Sequence, residues 1–427
     1  MFKVLVIAYY YPPMGLSGVQ RTLKFTKYMK EFDWEPTVIT AGRTGYYAHD
    51  LSLLKEVEKY GINVIRTDAK DINSKLALWG TVKMPREFIR KILSYISKLL
   101  FIPDNKISWA KKAFVVASEE LSKNNYDAIF VTIPPFSSFP EAVKLKEKFN
   151  IPLFVDYRDL WVGNQFNLAP TPYHKYKHKK LEYQSLRMAD KVITVNRKTK
   201  ENILTKYPFL SFEDIVILPH GFDPDDFDKN PSVKREKYKL VITYTGIFYE
   251  KITPKYFLQA FKKLLLERPD IARYIELHFI GHFRKENHKL VRKLKIQEYV
   301  KDFGYLNHSD TIVKMNSSDI LWMMVGNGEN YSTVSTGKLL EYFGTRKPII
   351  ACVPDGAAKD AAKQYGASFI TEPDDVQGIK QIFIDIYNLY KSNKLPVPNE
   401  DFVAQHNRKM LAEKLTKEFQ FKLKEIV

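Results

Sequence analysis

The sequence predicts an α/β protein with two Rossmann-like domains, each built on a parallel sheet. Three observations support this fold class. Strand-like apolar runs alternate with helix-like stretches through most of the chain, which is the pattern of a doubly wound parallel sheet. The runs form two successive series, and a turn-rich stretch separates them. The length of 427 residues also exceeds that of one usual core.

The first series of strands begins at the N-terminus. Phe2 to Tyr9 is a short apolar run that continues into Tyr11-Pro-Pro without a small-residue cleavage site. It therefore indicates a buried strand and not a signal peptide. Helical segments are expected between most of the strands. The other strands of this series are predicted at 35–40, 63–66, 128–132, 153–156 and 191–195.

The second series follows a hinge-like stretch between Leu218 and Lys239, where proline, glycine and aspartate residues collect. We therefore predict an N-terminal domain at 1–218 and a C-terminal domain at 219–404, with a final helix within 401–427. The strands of the second domain are predicted at 240–245, 275–280, 300–303, 319–325, 348–353 and 368–370.

Composition and charge limit the function classes. With 45% hydrophobic and 27% charged residues the chain is an ordinary globular protein, and no apolar run approaches the roughly 20 residues that span a bilayer. The single cysteine, Cys352, cannot form an internal disulfide and lies in a strand-like run, so a cytoplasmic location is favoured. The net charge of +18 indicates attraction to nucleic acid, anionic lipid or a phosphate-bearing substrate. No nucleic-acid-binding module is recognisable, so a specific nucleic-acid partner is not expected.

The run after the fourth strand of the second series is the most informative in the chain. A polar loop leads to Ser335, Thr336 and Gly337, which open a short helix, and Lys338 and Glu341 lie in its first turns. The free N–H groups and the positive dipole end of such a helix favour a phosphate. A plainer interpretation is an exposed i, i+3 pair between Lys338 and Glu341, worth about a few tenths of a kcal/mol.

This run resembles the signature of retaining glycosyltransferases of family 4 type with the GT-B architecture, which carries two Glu separated by seven residues. Glu341 matches the second Glu, and Thr333 occupies the position of the first. The resemblance implies that Glu341 accepts hydrogen bonds from the ribose hydroxyls of a nucleotide-sugar donor, while the helix start and nearby cations hold its diphosphate. In the family the first Glu usually contacts the donor sugar, so the departure at Thr333 concerns the sugar more than the nucleotide.

Two glycines lie in the loop after the first strand. Gly15 and Gly18 are spaced G-x-x-G, which differs from the G-x-G-x-x-G of a dinucleotide fold and weakens a dehydrogenase interpretation. A glycine backbone has no Cβ and can approach a ligand closely. In the resembled family this loop faces the donor diphosphate and the acceptor.

Charged residues collect at the carboxyl end of the strand at 153–156, in the run Asp156-Tyr-Arg-Asp-Leu-Trp161. Ligands of open α/β sheets bind at such ends. The run resembles a sequence of a subgroup of these transferases, where it borders the sugar and the acceptor. Asp159 is the best functional candidate and Arg158 is a second one. Alternatively, Asp156 and Arg158 pair with each other and cap the strand.

The second domain offers a further cation and an aromatic residue. Gly246 follows the first strand of this domain and precedes Lys251, a residue suited to neutralise a leaving diphosphate. A solvated surface lysine is the alternative. The family usually carries an Arg directly after the glycine, but Ile247 stands there, so Lys338 is a candidate substitute. Tyr305 lies in a segment that resembles the one whose backbone meets the nucleotide base.

The sequence predicts neither a metal site nor a cofactor beyond the nucleotide-sugar co-substrate. No Asp-x-Asp follows a strand, because Asp223-Pro-Asp225 lies in the hinge-like stretch, and no Gly-x-Ser-x-Gly nucleophile elbow occurs. His174 and His178 are four residues apart, but the lysines around them would repel a cation.

A basic amphipathic helix is predicted at 83–100. Its apolar residues recur at helical spacing, and arginine and lysine occupy much of the remainder. Docking on an anionic membrane surface and ordinary packing against its own domain are both consistent with this pattern.

These observations predict a metal-independent, hexosyltransferase-type enzyme that moves a sugar, with retention, from a nucleotide diphosphate to a glycan or lipid-linked acceptor. The candidate catalytic residues are Asp159, Arg158 and Lys251. The resemblance implies a donor-binding second domain, an acceptor-side first domain onto which a C-terminal helix at about 405–427 packs back, and a role in surface polysaccharide or glycolipid assembly at the inner face of the membrane. A GT-B nucleotide-sugar epimerase and a non-catalytic polyanion-binding protein are the alternatives.

Overall fold

The computed structural model describes residues 1–15, 17–42, 44–46, 48–68, 87–164, 169–227, 239–328 and 331–426. The chain divides into two compact units, Met1–Pro219 with Arg408–Val427 and His220–Asn407. Each unit contains a parallel sheet flanked by helices, which confirms the predicted class of two Rossmann-like domains. Two parts of predicted segments, 83–86 of the basic helix and 228–238 of the hinge-like stretch, lie outside the described residues.

Within the described residues, the first unit contains a seven-stranded parallel sheet in the order β3-β2-β1-β4-β5-β6-β7. Every residue of β4 and β5 is buried, as expected for parallel strands that are covered on both faces. Six strands overlap the predicted segments, whereas β7 was missed because three residues are too few to show a pattern. The strands are β1 Phe2–Ile7, β2 Trp34–Ala41, β3 Asn63–Thr67, β4 Ala128–Ile133, β5 Leu153–Tyr157, β6 Lys191–Thr194 and β7 Ile215–Ile217.

Several helices of the first unit begin at polar caps. The side chains of Asp50, Thr171 and Asn196 each accept a hydrogen bond from a backbone N–H in the first turn, and Pro172 stands at a first helical position. The helices before the domain boundary are α1 Ser17–Met29, α2 Leu51–Lys59, α3 Glu87–Leu100, α4 Ile107–Lys123, α5 Ser138–Phe149, α6 Pro172–Met188 and α7 Arg197–Lys206.

The second unit contains, within the described residues, a six-stranded parallel sheet in the order β10-β9-β8-β11-β12-β13. Its core is aromatic: the rings of Trp322 and Phe257 stack with centroids 3.7 Å apart. The strands are β8 Leu240–Thr245, β9 Ile275–Ile280, β10 Val300–Asp302, β11 Ile320–Met324, β12 Ile349–Cys352 and β13 Ser368–Thr371. The helices are α8 Pro224–Phe227, α9 Lys255–Glu267, α10 Pro269–Ala272, α11 Lys285–Leu294, α12 His308–Asn316, α13 Gly337–Thr345, α14 Ala357–Tyr365, α15 Val376–Lys391 and α16 Glu400–Ala404.

The last helix, α17 Arg408–Ile426, belongs to the first unit. Phe419 is fully buried there, with its ring centroid 4.5 Å from that of Phe154 and 5.0 Å from that of Trp34. This aromatic cluster fastens the end of the chain to the sheet of the first unit. Neither α17 nor any other helix of the described residues is long and apolar enough to cross a bilayer.

We expect Phe419→Ala to lower the free energy of unfolding of the first unit by about 3–5 kcal/mol, because it removes a buried ring and leaves a cavity. Phe421→Ala is a matched control two residues away in the same helix, where the ring is 61% exposed. Urea unfolding measures both changes. Equal effects of the two substitutions would contradict the burial of Phe419.

Candidate functional site

Glycines with positive φ follow three adjacent strands of the second unit. Gly246, Gly281 and Gly304 come after β8, β9 and β10, with φ of 111°, 125° and 65°. Side chains other than glycine are strained in this region of φ. A Cβ on Gly281 would also collide with the carbonyl oxygen of Gly246. The carboxyl end of this half of the sheet is therefore lined by bare backbone, which a ligand can approach closely.

The N-terminus of α13 lies after β11, the neighbour of β8 in the sheet. Ser335 precedes the cap, and Thr336 is the cap residue, whose hydroxyl accepts a hydrogen bond from the N–H of Leu339 at 3.4 Å. Gly337 is the first helical residue. A helix start leaves backbone N–H groups without partners inside the helix, and together with the dipole these groups suit an anion.

Lys338 points from α13 onto β8. Its Nζ donates a hydrogen bond to the hydroxyl of Tyr244 at 2.7 Å and lies 4.4 Å from the centre of the same ring. Loss of hydration lowers the pKa of Lys338 to about 7, and the charge of Glu341 acts weakly in the opposite direction. Lys338 as a whole is partly exposed, but its ammonium group is enclosed, and the lowered pKa reflects the surroundings of that group.

Gly246 makes room for this lysine. A Cβ at Gly246 would lie 2.5 Å from Nζ of Lys338, so any other residue would displace the ammonium. The structure thus brings together Gly246 and Lys338, two predicted donor-site residues that lie in different segments of the sequence. Tyr244, which holds the ammonium, was not among the predicted site residues.

Glu341 lies one turn beyond Lys338 on α13 and is partly exposed. The described residues contain no ion pair between the two, because the Lys338 ammonium bonds Tyr244 instead. Within the same part of the chain Glu341 makes no hydrogen bond to any group. The interpretation of Lys338 and Glu341 as a simple surface pair therefore does not describe this site, and the Glu341 carboxylate retains its capacity to accept hydrogen bonds.

Lys251 lies beside the glycine-containing loop that follows β11. A Cβ on Gly326 would come within 2.7 Å of the Lys251 carbonyl oxygen, and one on Gly328 within 2.7 Å of its Nζ. The Lys251 ammonium is 5.9 Å from the ring centre of Tyr331. Lys251 is exposed to solvent, and it also packs against this loop.

Tyr305 stacks with a residue that the sequence analysis did not select. Its ring lies 5.9 Å from that of His282, and the two planes are inclined by 18°. His282 directly follows Gly281, and its Nε2 is buried without a hydrogen-bond partner among the described residues. The position of His282 at a strand end is the sequence signal by which it could have been selected.

In the first unit, hydrogen bonds to the backbone of the loop after β1 hold this loop in place. The N–H of Gly15 donates to the carbonyl of Ala48 at 2.8 Å, and Arg66 donates to the carbonyl of Pro12 at 2.7 Å. A Cβ added at Gly18 would meet no atom within 4 Å. Gly18 therefore borders open space at this strand end.

Arg158 is engaged by three backbone carbonyls. Its guanidinium donates to Gly18 at 2.6 Å, to Pro134 at 2.8 Å and to Ile133 at 3.3 Å. These bonds tie the first turn of α1 to the carboxyl end of β4 and the residue that follows it. The geometry makes Arg158 a positioning residue, and a direct catalytic role for it stays a prediction.

Asp156 does not pair with Arg158. It is fully buried, lies 2.9 Å from the Arg21 guanidinium and accepts a hydrogen bond from Thr132 at 3.0 Å. Arg21 also donates to the carbonyl of Leu218 at 2.9 Å. The alternative in which Asp156 and Arg158 cap the strand together is therefore wrong, and the partner of Asp156 is Arg21.

Asp159 is exposed at the carboxyl end of β5. Reduced hydration within the surrounding protein raises the pKa of its carboxyl, while the neighbouring Arg158 charge acts in the opposite direction. The side chain is nevertheless in contact with solvent. Asp159 is thus the member of this charged run that stays accessible to a ligand.

His174 and His178 lie in α6, and each forms a hydrogen bond with a residue outside this helix. Nδ1 of His178 accepts a hydrogen bond from the indole of Trp161 at 2.8 Å, and burial lowers the pKa of this histidine. Nε2 of His174 donates to the carbonyl of Leu99 at 3.2 Å. The described residues contain no group of three or more His, Cys, Asp or Glu side chains arranged to hold a metal ion.

Two family models match the chain in succession. The model of glycosyltransferase family 4 matches residues 17–226, and the model of glycosyl transferases group 1 matches residues 224–399. Together they extend over nearly all of both units. A search of curated proteins finds no match.

Solved structures share the fold over the full length of the chain. A glycosyltransferase from Rickettsia africae has a TM-score of 0.65 at 16% identity, covering 99% of both chains. Sucrose-phosphate synthase from Thermosynechococcus elongatus has a TM-score of 0.65 at 13% identity, covering 100% of both. A UDP-N-acetylglucosamine 2-epimerase from Listeria monocytogenes has a TM-score of 0.61 at 14% identity, covering 99% of this chain and 97% of that chain.

Two parallel-sheet domains in succession have the GT-B fold of these solved structures, and the two family models identify the chain as a glycosyltransferase. Within this class, the chain belongs to the family 4 type, whose two models it matches one after the other.

The pKa of Lys338 predicts a pH-dependent stability. Below about pH 7 the folded and unfolded chains both carry the proton, and the folded state bears the full cost of an enclosed ammonium. Between about 7 and 10.5 the folded chain loses this proton first, so the contribution of Lys338 to the free energy of unfolding rises with pH. We expect the stability of the wild type relative to Lys338→Met to rise by roughly 2–4 kcal/mol across that range.

Urea unfolding of the ligand-free protein at several pH values measures this difference. Lys338→Arg is the control, because a guanidinium keeps its charge throughout and should show no such rise. Parallel pH profiles for the wild type and Lys338→Met would contradict the enclosed position of the ammonium.

Proposed function

We propose that this glycosyltransferase transfers a sugar from a nucleotide-diphosphate donor, with retention of configuration, to a glycan or lipid-linked acceptor. The observation that carries the proposal is the group at the start of α13. There, a helix N-terminus, the Lys338 ammonium beside Gly246, and an unpaired Glu341 carboxylate lie within two helical turns of one another.

Each of these groups matches a different part of a nucleotide sugar. The helix start and Lys338 suit the diphosphate, and Lys251 on the β8 side adds a second cation. Glu341 suits the ribose hydroxyls, since a carboxylate accepts hydrogen bonds and makes none to the described protein. Tyr305 and His282 offer a flat pair of rings and an unpaired ring nitrogen for the base.

The proposed chemistry needs no protein nucleophile. The acceptor hydroxyl oxygen bonds to the anomeric carbon, the bond from that carbon to the diphosphate oxygen breaks, and the hydroxyl proton passes to a phosphate oxygen of the donor. Negative charge grows on the leaving diphosphate, where Lys338, Lys251 and the helix start stabilise it. No step calls for a metal ion, so metal independence is part of the proposal.

The acceptor-side assignment rests on the first unit. Asp159 is accessible at the end of β5, and Gly18 borders open space at the end of the neighbouring loop. We infer that Asp159 orients the acceptor hydroxyl, with Arg158 fixing the loops around it. Surface polysaccharide or glycolipid assembly in the cytoplasm follows from the family resemblance, and cytoplasmic nucleotide sugars would supply the donor.

Two other functions remain testable against this one. A nucleotide-sugar epimerase is favoured by the shared fold with the Listeria monocytogenes enzyme. It would change the donor without any acceptor. A non-catalytic polyanion-binding protein would use the net charge of +18 and would bind phosphate-bearing polymers without selectivity for a nucleotide sugar.

We expect a nucleotide sugar to raise the melting temperature, and Glu341→Gln to lower its affinity at least about tenfold, because an amide replaces the acceptor of two ribose hydroxyls. A thermal-shift screen with UDP-, GDP- and ADP-sugars finds the donor, and calorimetry then measures the affinity. Glu286→Gln, an exposed change in the same unit, should leave it unaltered. Absence of any shift with all three donor classes would refute the proposed function.

We expect Asp159→Asn to lower kcat by about 100-fold or more while the donor affinity stays unchanged, because the substitution removes a carboxylate from the acceptor side alone. Steady-state transfer assays with the donor found above, together with calorimetry, separate the two effects. Asp33→Asn, an exposed change in the same unit, is the control. An unaltered kcat would remove Asp159 from the mechanism.

A further inference from the structure

Helix α3 exposes its apolar side chains, whereas a surface helix normally buries them. Its eight apolar side chains are all exposed, from 39% at Leu99 to 74% at Phe88. Its partly buried positions are instead polar: Arg90, Ser94, Ser97 and Lys98. The exposed apolar residues are Phe88, Ile89, Ile92, Leu93, Tyr95, Ile96, Leu99 and Leu100.

These apolar side chains share one face. At 100° per residue they fall within an arc of about 160°, and the polar side chains occupy the rest of the circumference. Surface helices of globular proteins normally bury such a stripe. Among the described residues, none of the apolar side chains of α3 belongs to the core of the first unit. A contiguous apolar face of this kind marks an interaction site.

A second helix extends this face. The ring of His174, near the start of α6, donates a hydrogen bond to the carbonyl of Leu99 near the end of α3. This contact places the first turns of α6 beside the apolar stripe. Tyr173 and Tyr176 are each 59% exposed there, and Lys175, Lys179 and Lys180 are also exposed.

Both segments carry a net positive charge. Helix α3 contains three Lys or Arg and one acidic residue, Glu87 at its start, and residues 172–180 contain four Lys and no Asp or Glu. Tyrosine suits the boundary between water and lipid, because its ring is apolar and its hydroxyl is polar. Lysine near such a boundary is attracted to anionic headgroups.

We propose that α3 and the start of α6 form one docking surface for an anionic lipid bilayer. The stripe of α3 inserts its apolar side chains at the level of the headgroups, and the lysines of α6 contact the charged lipid surface. The exposed large side chains and the basic charge favour an anionic bilayer over a protein partner, since such side chains need a matched groove on a protein but none on a fluid bilayer. This surface does not depend on the proposed transfer reaction.

Flotation of the full-length chain with vesicles tests the proposal. We expect binding to vesicles of phosphatidylcholine mixed with phosphatidylglycerol at low salt, weaker binding at high salt, and little binding to phosphatidylcholine alone. Two double variants probe the two helices: Leu93→Ser with Ile96→Ser, and Lys175→Glu with Lys179→Glu. Each should weaken vesicle binding at least about tenfold.

The controls make the same kinds of change on exposed positions of the second unit, Leu266→Ser and Lys289→Glu, and should bind vesicles like the wild type. Equal binding to neutral and anionic vesicles, or wild-type binding by both double variants, would overturn the proposal.

Two measurements without lipid test whether the α3 face is covered by something other than a bilayer. If the wild type sediments as a dimer and the α3 double variant as a monomer, the face belongs to a second copy of the chain and the proposal fails. If the α3 double variant melts several degrees below Leu266→Ser, the face is packed within the chain, which also overturns it. We expect a similar sedimentation coefficient and melting temperature for all these proteins.

Discussion

Burial of parallel strands on both faces is the constraint on which the rest of the structure depends. Side chains in the middle of β4, β5 and β11 have no access to water, so these strands are mostly apolar. Charged groups collect towards the strand ends, and Asp156, which lies inside β5, is paired with Arg21. The candidate chemistry of the chain therefore collects at carboxyl ends, after β5 in the first unit and after β8 and β11 in the second.

At the strand ends of the first unit, most charges serve the fold. Arg21 neutralises Asp156, Arg158 holds three carbonyls, and Asp104 accepts hydrogen bonds from the N–H and hydroxyl of Ser137. These bonds fix the start of α1 and the segment after β4 in place, and Asp159 is the exposed charge of its run. A loop that borders a substrate benefits from such fixation, because catalysis requires reacting groups to be held in register.

The sequence was sufficient for the fold class, for all described strands but β7, and for the start of the helix that carries Lys338 and Glu341. It was insufficient wherever a partner is distant along the chain. The sequence suggested Arg158, two residues away, as a partner for Asp156, whereas its actual partner, Arg21, is 135 residues away. Lys338 was predicted as a cation, but its enclosure by Tyr244, 94 residues away, was not. The outward face of α3 was equally hidden, because helical periodicity identifies an apolar stripe without showing which way it points.

The departure at Ile247 acquires a physical meaning once Lys338 is placed. An arginine keeps its charge at any physiological pH, and its guanidinium would face a ligand-free site as a permanent cation. Lys338 has a pKa of about 7 beside Tyr244, so in the ligand-free protein much of its population is neutral near that pH. Arrival of the proposed diphosphate would raise this pKa and draw a proton onto Nζ, since an opposite charge favours the ionised lysine. The cost of enclosing the ammonium is thereby offset only when an anion is present. A site built in this way discriminates a diphosphate from a neutral sugar by charge, which is the discrimination that a nucleotide-sugar donor site requires.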